Sequence, residues 1–417
     1  MIRFIHTADI HFGMENYGRI DPITGIHSRL LDFKKSFDTC INYAIENNVD
    51  LFVFAGDAYK TAHPTPTQQK LLLDSFMKLY QAKIPVVIVV GNHDNPLSFG
   101  KANALDIFAH LPIDGFHVFS KPNAIKIDTK SGPIQIVGIP WPNRHNLAIN
   151  TNQAITNATQ LTEHISNSLA HITQQLAESL DPQLPSILVG HLTVSAGIFS
   201  GSEKRAVYGQ DPILLPSQLA ILPFDYIALG HLHRFQNTNP QGTIPVVYAG
   251  SIDRVDFGER KEEKGFCDVT IHQKYKTTFE HIVIKTRPFI QIDVILQEGI
   301  DQTEQILQEL STYQITDSIL KITYQIPKSE QDFVDIKKIQ RHCQDVMFLV
   351  GIIPIRTLQT RTHRDLLKQE MNLETLLSTY FNSNEILKKR AQVLTEKTLK
   401  LNELEEIYNT NTESADS

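Results

Sequence analysis

Eight polar residues stand out because each follows closely on a short apolar run and each can bind a cation or move a proton. They are Asp9 and His11 in "ADIH", Asp57 in "AGD", Asn92 and His93 in "GNHD", His191 in "VGH", and His231 and His233 in "GHLH". A lone histidine or a single Gly-Asp after a strand is ordinary turn chemistry. Five such endings, each with Gly or Ala just ahead of the first polar residue, are hard to attribute to turns. Carboxylate, imidazole and amide oxygen together suit a borderline divalent ion such as manganese, iron or zinc. One ion needs about four such groups. Seven remain when His93 is set aside, so two ions are expected. Asp57 is the natural bridge, since a carboxylate can give one oxygen to each cation. Two ions about 3.5–4 Å apart activate water and hold a phosphate for in-line attack. His93 is then expected to donate to the leaving oxygen as a general acid.

These residues can meet only if the elements carrying them end on one side of a sheet. "IRFIHTAD", "DLFVFAGD" and "IPVVIVVGNHD" read as strands. Between them lie two helical patterns, 28–47 with Leu30, Phe33, Phe37 and Ile41, and 66–82 with Leu72, Phe76 and Leu79. The alternation predicts an α/β sandwich with parallel pairing near the start. Ligands bind at the carboxyl ends of strands in such sheets. Further strands are expected at "GFHVF", "IQIVGIP", "SILVGH", "FDYIALGHLH", "IPVVYAGS", "GFCDVTI" and "FEHIVI", with a long helix over about 155–180. After Arg287-Pro288 the pattern becomes a small β-α-β-α unit without such strand ends. Beyond about 357 it reads as helical, with an apolar face of Leu373, Leu376, Leu377 and Tyr380. A later series is Leu387, Leu394, Leu401 and Tyr408.

The chain has 417 residues, 41% hydrophobic and 20% charged, which is globular composition with room for two or three domains. Its formal net charge of -7 neither demands nor forbids a nucleic-acid partner. Cys40, Cys267 and Cys343 are widely spaced and read as reduced buried thiols, not as a disulfide frame. No apolar run reaches transmembrane length and the N-terminus goes straight into a strand, so a cytoplasmic location is expected.

The ordered series "DIH…GD…GNHD…GH…GHLH" resembles the calcineurin-like metallophosphoesterase signature. More narrowly, "HTADIHFG", "GHLTVSAGIFSGSEKRAVYG" and "YAGSIDRVDFGERKEEKGF", with the order of the parts, resemble the SbcD family of bacterial nuclease subunits. The likeness spans nearly the whole chain. It implies a two-sheet α/β sandwich metallophosphoesterase domain over 1–285 and a small α+β, DNA-facing cap domain over 286–360. C-terminal helices over 361–410 would bind the partner, and 411–417 would be a disordered tail. It implies that Asp9, His11, Asp57 and His233 hold one ion, that Asp57, Asn92, His191 and His231 hold the other, and that His93 acts on the leaving group. The implied cofactor is two manganese ions. The implied activity is cleavage of DNA, as exonuclease on duplex ends and endonuclease on single strands or hairpins. The implied partners are DNA, an SbcC-type coiled-coil ATPase and a second copy of the chain.

Some relatives carry a histidine three residues after the bridging aspartate, where this chain has Lys60. Lys60, and Lys204 with Arg205 in the loop "SGSEKRAVYG", are candidates for phosphate contact; solvated loop cations are the plainer reading. His6 is expected in the core or just outside the site, and Trp141 beneath a Pro-rich loop. The main alternative activity is a dinuclear phosphoesterase of a non-DNA substrate. It leaves the extension after Arg287 without a purpose. A non-catalytic scaffold would have lost ligands, and none of the seven is missing.

Overall fold

The structure, a computed structural model, describes residues 1–96, 101–142, 158–201, 211–327, 329–355, 373–383 and 387–401. Two six-stranded sheets dominate it. The first runs in the order Lys276–Val283, Gly265–Gln273, Ile2–Thr7, Leu51–Phe54, Val86–Val89 and Phe116–Phe119. The second runs Gln236–Asn237, Val246–Tyr248, Tyr226–Gly230, Ser186–His191, Gly132–Ile139 and Asn123–Thr129. The first has antiparallel strands on one side only and stays parallel from Ile2–Thr7 to its edge at Phe116–Phe119; the second has a parallel centre with an antiparallel strand at either edge.

Period-two alternation explains how the layers form. In the first sheet Phe4, Val53 and Val87 face Ile136, Val189 and Ala228 of the second, making the inner core. Phe52, Phe54 and Ile88 face outward onto the helices Ser28–Glu46 and Pro66–Gln81. Those helices present Phe33, Phe37, Leu72 and Phe76 at helical spacing. Val137, Leu188 and Ile227 on the outer face of the second sheet pack with Ile165 and Leu169 of the helix Ala158–Glu178. Pro66 and a reciprocal Thr65–Gln68 capping box start the second helix.

The unit after Arg287 is a three-stranded sheet, Phe289–Ile295, Ile319–Gln325 and Phe348–Ile355, with helices Gln302–Leu310 and Ile336–His342. Its third strand escapes a reading of "FLVGIIPI" because Gly351 and Pro354 interrupt the pattern and no residue in it is fully buried. Phe289, Ile319 and Met347 form a core that continues onto Tyr17 and Phe257. Arg287 makes a fork to Asp32, with Nε 2.9 Å from Oδ2 and Nη2 2.8 Å from Oδ1.

Packing divides the chain into two compact units. One holds Met1–Tyr324 with Gln331–Pro354; the other takes in Gln325–Glu330 and the chain from Ile355. The second contains the helix Leu373–Ser383 and a helical stretch over 391–401. Leu373 and Tyr380 are exposed, Leu376, Leu377, Leu387 and Leu394 are half-buried, and Leu401 is exposed. Tyr408 lies outside the described residues. All three cysteines are buried and free. Among the described residues no helix is long and apolar enough to cross a membrane.

Candidate metal centre

Five parallel strands deliver the candidate residues to one end of the sandwich. From the first sheet come the exits of Ile2–Thr7, Leu51–Phe54 and Val86–Val89; from the second come those of Ser186–His191 and Tyr226–Gly230. The first two exits run side by side, tied by Asp9 N to Gly56 O at 2.9 Å and His11 N to Asp57 O at 3.1 Å. Gly56 and Gly91 permit the approach. A Cβ on Gly56 would lie 2.4 Å from His191 Nδ1, and one on Gly91 2.1 Å from Asp57 Oδ1. Asp9, His11, Asp57 and His231 all adopt left-handed backbone, with φ of 54, 54, 58 and 99°. Such residues cost about 1–3 kcal/mol each and persist where the surroundings hold them.

The side chains form two clusters that share one carboxylate. His11 Nε2 and His233 Nε2 lie 2.9 Å apart, and Asp9 joins them in a group whose ligand atoms lie within 4.8 Å of one another. Asn92 Oδ1 lies 2.9 Å from His191 Nε2 and 3.2 Å from His231 Nδ1. Asp57 Oδ2 lies between the clusters, 3.8 Å from His11 Nε2 and 3.3 Å from His191 Nε2. His93 is exposed at the rim, its ring edge-on to His11 at 5.0 Å.

Electrostatics agree with a cation site. Burial raises the Asp9 carboxyl to about 7, against the pull of the His191 and His233 imidazoles. Burial works the same way on Asp57, but His191 and His93 outweigh it and hold the acid below the usual range. Burial disfavours charge on His191 too; Asp57 reverses this and lifts it to about 9. Burial keeps His11 well below its ordinary value and lowers His231. Two buried carboxylates and two imidazole nitrogens meeting at 2.9 Å form a donor set whose lone pairs converge. The residues present fit divalent cations.

Around these groups lies an outer ring that the sequence did not reveal. His191 Nδ1 donates to Ala55 O at 2.8 Å, His233 Nδ1 pairs with Glu259 Oε1 at 2.8 Å, and His231 Nε2 lies 3.3 Å from Asp211 Oδ2. His93 Nδ1 bonds the carbonyl of Lys60 at 2.8 Å. Each ring is thereby oriented by the nitrogen that faces away from the cluster. Asp94 accepts from the backbone N–H of Asp57, Tyr59 and Gly91 at 2.9, 3.1 and 3.1 Å, which stitches two strand exits together. Trp141 packs against His231 at 4.7 Å and His191 at 6.0 Å, rather than only beneath a loop. His6 is buried, bonded to Leu229 O and Tyr226 Oη. The Lys60 side chain is exposed, and Lys204 and Arg205 lie outside the described residues.

A sandwich that gathers such donors at its strand exits defines a class, and residues 2–235 match the calcineurin-like phosphoesterases. The chain belongs to that family: it is a hydrolase of phosphoesters with a dinuclear divalent-metal site. It is similar to the SbcD component of the nuclease SbcCD from Staphylococcus epidermidis, 27% identical over 314 residues that cover 74% of this chain and 75% of that one. The SbcD component of the Bacillus subtilis nuclease is 24% identical over 355 residues, 81% of this chain and 86% of its own. A solved dimetal phosphatase from Danio rerio matches 67% of this chain and 98% of its own at 11% identity and a TM-score of 0.37.

Gly91→Ala tests the close approach. The added methyl meets Asp57 Oδ1 and, at 2.4 Å, its backbone nitrogen, which cannot swing away. Urea unfolding is expected to show a loss of about 1–3 kcal/mol, the usual cost of overpacking. Unchanged stability would contradict the packing described.

Proposed function

We propose that this chain is the nuclease subunit of a DNA-processing complex. In this reading it cleaves DNA phosphodiesters, as an exonuclease on duplex ends and an endonuclease on single strands and hairpins. It uses two Mn2+ ions and works in the cytoplasm with an SbcC-type coiled-coil ATPase in DNA repair, recombination and replication. A pair of nuclease subunits would sit within a heterotetramer. The observation that carries the reading is the Asp57 carboxylate between two imidazole clusters. The relatives' names support the choice of nucleic acid as substrate.

Asp9, His11 and His233 would hold one ion, Asn92, His191 and His231 the other, and Asp57 both. Two such cations supply Lewis acidity: they neutralise phosphate charge and make water a better nucleophile near neutral pH. The chain's own part is positioning and proton transfer. The Lys60 carbonyl takes the Nδ1–H of His93, so the mobile proton sits on Nε2 at the exposed edge of the ring. An imidazolium there gives that proton to the leaving oxygen and keeps the Nδ1–H bond throughout. Lys60 thus serves through its backbone, and its side chain, with Lys204 and Arg205, remains a candidate for DNA phosphate.

Asp57→Asn leaves one oxygen with no negative charge. Metal analysis of the purified variant is expected to show both ions depleted, and a gel assay on linear and hairpin DNA in manganese no cleavage. Normal occupancy with normal cleavage would remove the bridge.

His93→Ala is expected to keep the metal and the DNA affinity while the rate falls about 10²–10⁴-fold, the range for a lost general acid. His93 also groups with His11 and Asp57 within ligand distance. A fall in metal content as large as the fall in rate would make it a ligand instead.

The helix Leu373–Ser383 exposes Leu373 and Tyr380, apolar anchors of the kind a helix lays into a partner's groove. A chain ending at Thr362 is expected to retain its metal and single-strand cleavage but to lose co-purification with the ATPase. Unchanged binding would move the partner surface onto the catalytic or small-sheet part.

A further inference from the structure

One buried carboxylate of the outer ring has contacts that reach well beyond the histidine it touches. Glu259 has no exposed surface. Its Oε1 lies 2.8 Å from His233 Nδ1, and its Oε2 accepts from Val255 N at 3.0 Å and Ser251 Oγ at 3.2 Å. The ammonium of Lys264, itself buried, lies 2.8 Å from that same oxygen and donates to the backbone carbonyl of His233 at 2.9 Å. His233 is therefore gripped twice, at its ring and at its main chain, by one ion pair. A carboxylate on Nδ1 forces the tautomer whose Nε2 lone pair faces His11.

The same short turn reaches the other way. Glu259 closes the 3-10 turn Phe257–Glu259, and Phe257 packs its ring 5.0 Å from Phe289 and 5.2 Å from Tyr17. Phe289 is the first residue of the three-stranded sheet and belongs to its core with Ile319 and Met347. A single residue, Gly258, thus separates a ring lodged against that sheet from the carboxylate that orients a site histidine.

We infer that Glu259 is a positioning residue for His233, and that Phe257 makes its position depend on how the three-stranded sheet is seated. Any ligand that shifts the sheet's first strand would then alter metal affinity at the His11–His233 cluster. This rests on the proposed metal centre, and the test separates the two. Manganese binding to the full chain is measured by titration calorimetry and by the EPR signal of free Mn2+. The tautomer of His233 is read from its ¹⁵N shifts. Wild type is expected to bind two ions and to show the Nδ1–H form. Glu259→Leu is expected to weaken one ion about 10–100-fold, the usual effect of losing a ligand's partner, while the second ion stays. Glu259→Gln, which keeps an acceptor, is expected to fall between. Because Lys264 would lose its nearer carboxylate and keep only Glu262, 3.0 Å away, Glu259→Leu/Lys264→Met is measured beside them as a variant in which the buried ammonium is removed as well. Phe257→Ala is expected to weaken the same ion about 2–30-fold, the span of coupling energies carried through packed residues. Phe333→Ala, on a ring 75% exposed in the same unit, is expected to change nothing. Wild-type affinity in both Glu259→Leu variants would overturn the positioning role. Wild-type affinity in Phe257→Ala alone would overturn the dependence on the sheet. A wild type that binds no manganese would overturn the metal centre and this inference with it.

Discussion

Asp57 must keep an ionised carboxylate in a dry place, and much of the structure near the site follows from that. An unpaired buried charge would neutralise itself rather than persist. Here it is surrounded by imidazoles and by the His93 N–H, 2.9 Å from Oδ1. Reaching that spot requires left-handed backbone at Asp57 and a glycine on the facing strand exit. Asp94 then fixes the backbone from below by accepting three N–H groups. The strain at Asp9, His11, Asp57 and His231 is held by a sandwich with hydrophobic layers on both sides of each sheet. A flexible loop could not hold four such residues in register.

The outer ring explains how the site is shaped before any ligand arrives. His191, His233 and His93 each bond through a nitrogen that faces away from the cluster, to Ala55 O, Glu259 and Lys60 O. His231 does the same more loosely with Asp211 at 3.3 Å. Orientation is thus set partly by main-chain carbonyls, which no side-chain substitution removes. It is set partly by carboxylates from distant segments, which a substitution would remove.

Asp9, His11, Asp57, Asn92, His191, His231 and His233 were legible because each sits just past a continuous apolar run, and the strand exits of parallel sheets converge. The sandwich was legible for the same reason: buried parallel strands read as unbroken runs. The outer ring was not. Glu259 is 26 positions from His233 and lies in a run of charges that reads as a solvated surface. The Lys60 and Ala55 carbonyls carry no residue-type signal at all. Trp141 looked like loop packing because its partners, His191 and His231, are remote in sequence. The strand Phe348–Ile355 was hidden by its own Gly351 and Pro354.

The central claim is that one carboxylate joins two cations. Low-temperature EPR of the protein loaded with two equivalents of Mn2+ tests it directly, because ions sharing a bridge are magnetically coupled. A broad coupled spectrum is predicted, with the six-line pattern of isolated Mn2+ suppressed. An undiminished six-line signal with two ions bound would contradict it, since the ions would then occupy separate sites and Asp57 would serve only one.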